Sequence, residues 1–220
     1  KSTLLKVVAG ELRPNAGRVH LHGRDIGTLA PAALARQRAV LAQSVALAFP
    51  FAVEEVVRLG LPEAFSRARG DMLVLQGLEA VGLFAEAGRS CLSLSGGEQQ
   101  RVHFARVLVQ LWSQPEDGLA RYLLLDEPTA SLDLSHQFMV MQLARAHATA
   151  GGGVLAVMHD LNLAAMLADE IVALDNGRVA ARGPPGQVIT DRMLADVYGV
   201  SLRVGVAPPG VFVLPQSAVV

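Results

Sequence analysis

A single cysteine in 220 residues is the sharpest shortage in this sequence. Cys91 has no second thiol to pair with, so an internal disulfide framework is excluded and a reducing cytosol fits. Charge is scarce as well, at 18% of residues, and nearly balanced, with a formal net charge of -1 at pH 7. The basic footprint of a nucleic-acid binder is therefore missing. The six histidines are scattered without metal-ligand spacing. No apolar run is long enough to cross a bilayer, because "AVLAQSVALAFPFAV", the longest, is interrupted by Gln43 and Ser44 and broken by Pro50. The opening residues do not follow a signal-peptide pattern, and no repeat or long linker divides the chain.

What the sequence has in plenty is apolar side chain. Hydrophobic residues make up 51%, enough to bury a sizeable core in one large domain, or in a core carrying a smaller subdomain. "KSTLLKVVAG" reads as a short helix closing at Gly10. Arg18 to Leu21 reads as a strand, with Gly23-Arg24-Asp25 as a tight turn after it. "PAALARQRAVLAQ" reads as a small helix feeding a buried strand that ends at Gln43. Apolar residues then recur at helical spacing in "VEEVVRLG" and "GDMLVLQGLEAVGL", which predicts a helical insertion over 51–92 between 1–50 and 93–220 of one domain. "RYLLLDEP" and "GGGVLAVMHD" are near-continuous apolar runs of the kind that parallel strands buried on both faces require. A helical pattern follows each run, so the expected class is α/β. "EIVALDNGRVAARG" predicts a hairpin turning at Asn176-Gly177, and "DRMLADVYG" a late helix.

Three stretches carry chemistry. "KSTLL" begins with the Lys-Ser that ends a phosphate-binding loop, G-x-x-x-x-G-K-[ST], although no glycine stands before Lys1. Alone, it is a chance triplet. "YLLLDEPTASLD", Tyr122 to Asp133, sets Asp126 and Glu127 at the carboxyl end of a buried strand, where open α/β sheets bind ligands. One acid there can hold Mg²⁺, and the second can orient or deprotonate an attacking water. Alone, it also reads as a strand ending in an acidic turn. In "LSLSGGEQQRVHFAR", Ser95-Gly96-Gly97 at a helix start presents bare backbone N–H groups and the positive end of the helix dipole to an anion. Alone, that is an ordinary helix cap.

In this order and about thirty residues apart, "LSGGEQQR" and "LLLDEPT" resemble the signature motif and Walker B segment of ATP-binding cassette ATPases. Further marks of that family fall in sequence: Gln43 at a strand end, Ser131-Leu132-Asp133 past the paired acids, and His159 ending "VLAVMHD". The opening "KST" is then similar to the tail of the phosphate loop. The resemblance implies a P-loop NTPase, RecA-like core with an antiparallel β subdomain and an inserted α-helical subdomain. In the family, a strand, an aromatic residue that stacks on adenine and the phosphate-wrapping glycines stand ahead of the position of Lys1. With that amino-terminal part missing, these 220 residues are expected to bind ATP poorly by themselves, and Mg²⁺-dependent micromolar binding would contradict that expectation.

The same resemblance implies the roles. ATP and Mg²⁺ are the expected ligands. Lys1 would neutralise the β- and γ-phosphates, Ser2 would ligate Mg²⁺, and Thr3 would donate near the α-phosphate. Asp126 would hold Mg²⁺ through water, Glu127 would act as general base, His159 would contact the γ-phosphate, and Gln43 would sense metal and water. Ser95, Gly96 and Gly97 would complete the site of a second copy in a head-to-tail homodimer, with Asp133 crossing the interface. "LAQSVALAFPFAVEEVVRLG" is similar to the corresponding region of importers for heme, ferric siderophores and cobalamin, where Phe49 and Phe51 would meet a permease. The "SQPEDGLARY" loop and the "SLDLSHQ" ending are similar to ATP-binding subunits of hemin importers. The implied setting is the cytoplasmic face of the inner membrane, with a transmembrane permease dimer as partner. A periplasmic heme-binding protein would act only indirectly, and neither direct heme contact nor nucleic acid is expected. Ferric siderophore or cobalamin as cargo, and a soluble role in repair or translation, stay open as alternatives.

Overall fold

A computed structural model describes residues 1–43, 49–63, 65–114, 117–207 and 209–217. The chain forms two compact units, Lys1–Val157 and Met158–Val220.

The first unit opens with helix α1, Ser2–Ala9, which stops at Gly10 in the left-handed conformation, the usual glycine stop. A short antiparallel hairpin follows, β1 (His20–Leu21) with β2 (Arg24–Asp25). Its turn is His22-Gly23, both with positive φ. The tight turn expected at Gly23-Arg24-Asp25 thus lies one residue earlier, because Arg24 and Asp25 are taken up in pairing, and the expected strand from Arg18 shortens to two residues. Helix α2, Pro31–Ala35, leads into β3, Arg38–Leu41. The strand ends at Leu41, short of Gln43, which is exposed.

Helices α3 (Val53–Arg58) and α4 (Arg67–Ala80) come next, then two 3-10 turns ending at Ser93. Cys91 N–H donates to the Phe51 carbonyl, and Val53 N–H to the Arg89 carbonyl, each at 2.9 Å. The helical region therefore leaves and returns at one place. Cys91 itself is buried, and burial raises its thiol pKa. The long helix α5, Gly96–Trp112, then leads to strand β4 (Tyr122–Asp126), helix α6 (Leu134–Thr149) and strand β5 (Gly153–Val157).

Strands β3, β4 and β5 form one parallel sheet in that order. Successive side chains of a strand face opposite sides, and β4 shows it. Leu123 and Leu125 join the large core with Val53, Val57, Val102, Phe104 and Leu108 from α3 and α5. Leu124 joins a second core with Leu5 and Ala9 of α1. Asp126 has the parity of Leu124, so the strand aims it at the face that α1 covers. On α5, His103 is buried within the first unit, and burial pushes its pKa down to about 4, so it is neutral at physiological pH.

The second unit carries α7 (Leu161–Leu167), the antiparallel pair β6 (Ile171–Asp175) and β7 (Arg178–Gly183), and then α8 (Pro185–Val188) and α9 (Asp191–Tyr198). The hairpin turns at Asn176-Gly177, where φ is 45° and 77°. Both values are positive, as the type I′ turn favoured by Asn-Gly requires. Among the described residues no helix is long and apolar enough to cross a membrane.

Gly60, just past α3, is buried against α5, and a Cβ there would run into the carbonyl oxygen of Arg106. Neither backbone segment can give way without losing packing. Gly60→Ala should destabilise the protein by about 2 kcal/mol, lowering the melting temperature by roughly 5 °C in a calorimetric scan. Gly88→Ala, where a Cβ meets nothing within 4 Å, should leave it unchanged.

Candidate active site

Two hydrogen bonds define the site at the carboxyl end of β4. Ser2 Oγ, in the first turn of α1, donates to Asp126 Oδ1 at 3.0 Å. Gln43 Nε2, two residues past β3, donates to Glu127 Oε2 at 2.8 Å. The parity of β4 explains the first pairing, since α1 packs on the face to which Asp126 points. The parallel register explains the second, since Leu41 lies opposite Leu125, so the two chains leave the sheet side by side. Asp126 is only 5% exposed. A carboxylate so placed needs a donor, and the Ser2 hydroxyl supplies it.

Beyond Asp126 the chain turns sharply. Glu127 has φ 52°, a left-handed backbone uncommon for a residue with a side chain, and its N–H donates to the Val157 carbonyl of β5 at 3.1 Å. The turn lifts the Glu127 carboxylate off the strand end and leaves it half-buried. Lys1 and Thr3 flank Ser2 at the start of α1 and are exposed. The first turn of that helix has N–H groups without intrahelical partners, a favourable surface for an anion.

A second group of the expected residues surrounds the start of α5. Ser95 caps the helix, its Oγ accepting from Glu98 N–H at 3.3 Å, while Glu98 Oε2 accepts from both Ser95 N–H and Ser95 Oγ at 2.7 Å. These bonds, the Ser95 hydroxyl first, hold the Glu98 carboxyl below its ordinary range. A Cβ on Gly96 would meet nothing, but one on Gly97 would stand 2.9 Å from the Ser131 carbonyl oxygen. Gly97 thus lets α5 approach the loop that ends at Asp133. Asp133 caps α6, and its Oδ1 accepts from His136 N–H at 3.0 Å, Ser135 Oγ at 2.9 Å and His136 Nδ1 at 2.7 Å.

His159 belongs to the second unit, where it is exposed and precedes Asp160, the cap of α7. Phe49 and Phe51 are exposed, at 65% and 39%, with their rings edge to face. Residues 44–48 of the stretch between Gln43 and Phe49, and Pro115 and Glu116 of the loop before β4, lie outside the described residues.

Sequence reasoning passed over two residues that the structure puts in the site. Gln100 of α5 donates through Nε2 to the carbonyls of Glu127 and Pro128, at 3.3 and 3.0 Å. Gln137 of α6 donates likewise to Thr129 and Leu132, at 3.3 and 3.0 Å. The available signal was their position: Gln100 faces the sheet one turn and a half into α5, and Gln137 lies one turn beyond the Asp133 cap.

The donor set suits a hard cation. A hydroxyl and a buried carboxylate bonded to each other offer oxygen ligands only, and the described residues hold no cluster of three or more His, Cys, Asp or Glu. Such a partial shell matches Mg²⁺, which keeps waters and takes substrate phosphate oxygens besides one or two protein ligands.

The Asp133 cap generates a pH prediction. The three donors, His136 N–H foremost, lower its carboxyl pKa to about 2. A carboxylate depressed by folding contributes stability above the unfolded pKa and loses it as pH falls through the folded one. The carboxyl carbon of Asp133 should therefore titrate by NMR with a midpoint near 2. Ser135→Ala should move that midpoint up toward the ordinary carboxylate range, and an unmoved midpoint would show that the hydroxyl contributes nothing.

Comparison with known proteins bears on the family. The family model described as "ABC transporter" matches residues 1–130. A hemin import ATP-binding protein HmuV of Rhizobium meliloti (strain 1021) is 52% identical over 224 residues, covering 99% of this chain and 84% of the relative. The protein of the same name from Roseobacter denitrificans is 51% identical over 220 residues, again covering 99% and 84%. Among solved structures, a dimeric ATP-binding cassette in a post-hydrolysis state, bound to ADP and phosphate, superposes with a TM-score of 0.71 at 26% identity. That superposition covers 84% of this chain and 80% of the other.

Proposed function

The chain belongs to the ABC transporter family, and we propose that it is the ATP-hydrolysing subunit that drives import of hemin through a separate permease. The observation that carries the chemistry is the pair of hydrogen bonds at the end of β4, Ser2 to Asp126 and Gln43 to Glu127. They bring a hydroxyl, two acids and an amide from three separate segments to one strand end. Support for the cargo comes from the hemin import proteins, which match almost the whole chain at 52% and 51% identity.

ATP is the substrate. Lys1 pairs with its β- and γ-phosphates, and the N–H groups of the first turn of α1 with Thr3 bind alongside. Ser2 and Asp126 are the residues that would hold Mg²⁺, Asp126 through water and with Gln43 near it. Bound there, the metal neutralises charge on the phosphate oxygens. Glu127 accepts the proton of the attacking water as the water oxygen bonds to the γ-phosphorus and the bond to the ADP oxygen breaks. Little covalent work falls to the protein in phosphoryl transfer, so positioning and electrostatics supply most of the acceleration.

Two copies close head to tail on two nucleotides. Ser95, Gly96 and Gly97 of one copy present N–H groups to the phosphates bound by the other, and Asp133 crosses the interface. The dimeric cassette to which this chain is similar supports dimerisation. Phe49 and Phe51 offer the apolar surface on which a permease helix docks. The subunit then works at the cytoplasmic face of the inner membrane, and hemin touches only the permease and a periplasmic binding protein.

The test is ATP hydrolysis by the subunit assembled with its permease in lipid. Binding protein loaded with hemin, ferric siderophore or cobalamin is added in parallel. Hemin-loaded protein alone should stimulate turnover. Stimulation by another cargo would overturn hemin, and failure to assemble with any permease would overturn transport. Glu127→Gln should lower the rate at least about a hundredfold, as loss of a general base does, while an ATP-bound dimer persists on gel filtration.

A further inference from the structure

The segment from Glu127 to Asp133 links the proposed general base to the residue proposed to cross the dimer interface, and its backbone carbonyls need partners. The loop's own turn supplies two, from Ala130 N–H to Glu127 and from Leu132 N–H to Thr129, each at 3.3 Å, and two glutamine side chains supply the rest. Gln100 Nε2 forks onto the carbonyls of Glu127 and Pro128, and Gln137 Nε2 onto those of Thr129 and Leu132. The Ser131 carbonyl is pressed against Gly97, where a Cβ would stand 2.9 Å away. Helices α5 and α6 thus hold this loop from two directions through its main chain.

We propose that Gln100 is a positioning residue for ATP hydrolysis, fixing the Glu127 turn so that its carboxylate stays aimed at the water. The inference rests on the function proposed above. Glu127 occupies a left-handed conformation, φ 52°, that a residue with a Cβ adopts at a cost of about 1 kcal/mol or more. Surroundings must impose such a conformation. The Glu127 N–H is tied to Val157, and its carbonyl to Ala130 N–H within the loop and to Gln100 from outside it. Both ends of the residue are therefore anchored, and the carboxylate swings from a fixed base.

The origin of Gln100 gives the contact a second consequence. It lies five residues past Ser95 on α5, about 7.5 Å along the axis at 1.5 Å per residue. The helix whose first turn meets the nucleotide of the partner copy therefore also holds the general base of its own copy. Displacement of α5 on closure reaches Glu127 through one amide group.

An amide is the right group for this task. It has two N–H donors and can serve two carbonyls, which a hydrophobic side chain of the same length cannot do and a carboxylate would repel. Steady-state hydrolysis by the subunit assembled with its permease distinguishes these cases. Gln100→Leu and Gln100→Glu should lower kcat about tenfold or more with KM for ATP within twofold, because the contact orients the base and not the nucleotide. Gln100→Lys, which restores a donor, should recover kcat to within threefold of the parent.

A kcat within twofold of the parent in Gln100→Leu, a loss confined to KM, or a Lys variant as impaired as the Leu variant would overturn the proposal. If Gln100→Leu melts below the assay temperature, Gln137→Leu decides by the same kcat and KM criteria, since it releases the same loop from its other end. Failure of the underlying reading looks different: the parent complex hydrolyses no ATP, or Glu127→Gln hydrolyses it normally, whatever Gln100 does.

Discussion

A carboxylate buried at the end of an apolar strand must be met by a donor, and this requirement organises the first unit. Asp126 closes a strand of four apolar or aromatic residues and keeps only 5% of its surface exposed. The cost of leaving such a group unsatisfied would be several kcal/mol. Helix α1 meets it by packing Leu5 and Ala9 over Leu124, which carries Ser2 to the acid one turn earlier. The same packing fixes where Lys1 and Thr3 begin. The start of α1 and the setting of Asp126 are therefore one constraint, satisfied once by the alternation of side chains along β4.

Two adjacent acids acquire different settings from the point at which the strand stops. Asp126 is the last residue of the ladder, held in register opposite Val157. Glu127 is the first residue outside it, and its left-handed backbone turns its side chain away from the sheet toward Gln43. A carboxylate locked beneath α1 can serve as a fixed ligand. One lifted off the strand end, with the Gln43 amide beside it, can accept a proton from a water that moves. The loop beyond is built from what its neighbours allow: Gly97 admits the Ser131 carbonyl, and Asp133 is drawn onto the N-terminus of α6.

Most of this was legible in local pattern. The apolar runs before Asp126 and through Val157 identified the parallel strands, although only β4 is buried on both faces and β5 leaves Leu155 exposed, and Asn176-Gly177 named its own turn. Asp126 and Glu127 stood out at the end of an apolar run, and the family resemblance pointed to Ser2 and Gln43 before any geometry was known. What pattern could not give was set by pairing partners distant in sequence. The first hairpin turned at His22-Gly23 because Arg24 and Asp25 pair back onto Leu21 and His20, a register that no single-strand signal encodes. Strand β3 stopped at Leu41, where its pairing with Leu125 ends, while β4 runs one residue further against β5. Gln100 and Gln137 escaped for a related reason. Glutamine on a helix is ordinary surface until the backbone carbonyls it reaches are known, and those belong to a loop nearly thirty residues from Gln100.

Three polar side chains at these sites share one further property: each already has a partner within the chain. Ser2 donates to Asp126, Gln43 to Glu127 and Ser95 to Glu98. Nucleotide binding therefore exchanges hydrogen bonds and does not simply add them, and an exchanged bond contributes only about 1 kcal/mol net. Contacts of that size cannot alone hold a polyphosphate. Charge must do more, from Lys1 and the helix N-termini, and so must closure, which removes water and strengthens every interaction inside. The Ser95 hydroxyl makes the dependence sharpest. It donates to the Glu98 carboxylate at the tip of α5, and must leave that acceptor before it can donate to a phosphate brought by another copy. An arrangement whose donors are satisfied at rest gains from nucleotide only when two copies meet, which ties hydrolysis to the motion that a permease can use.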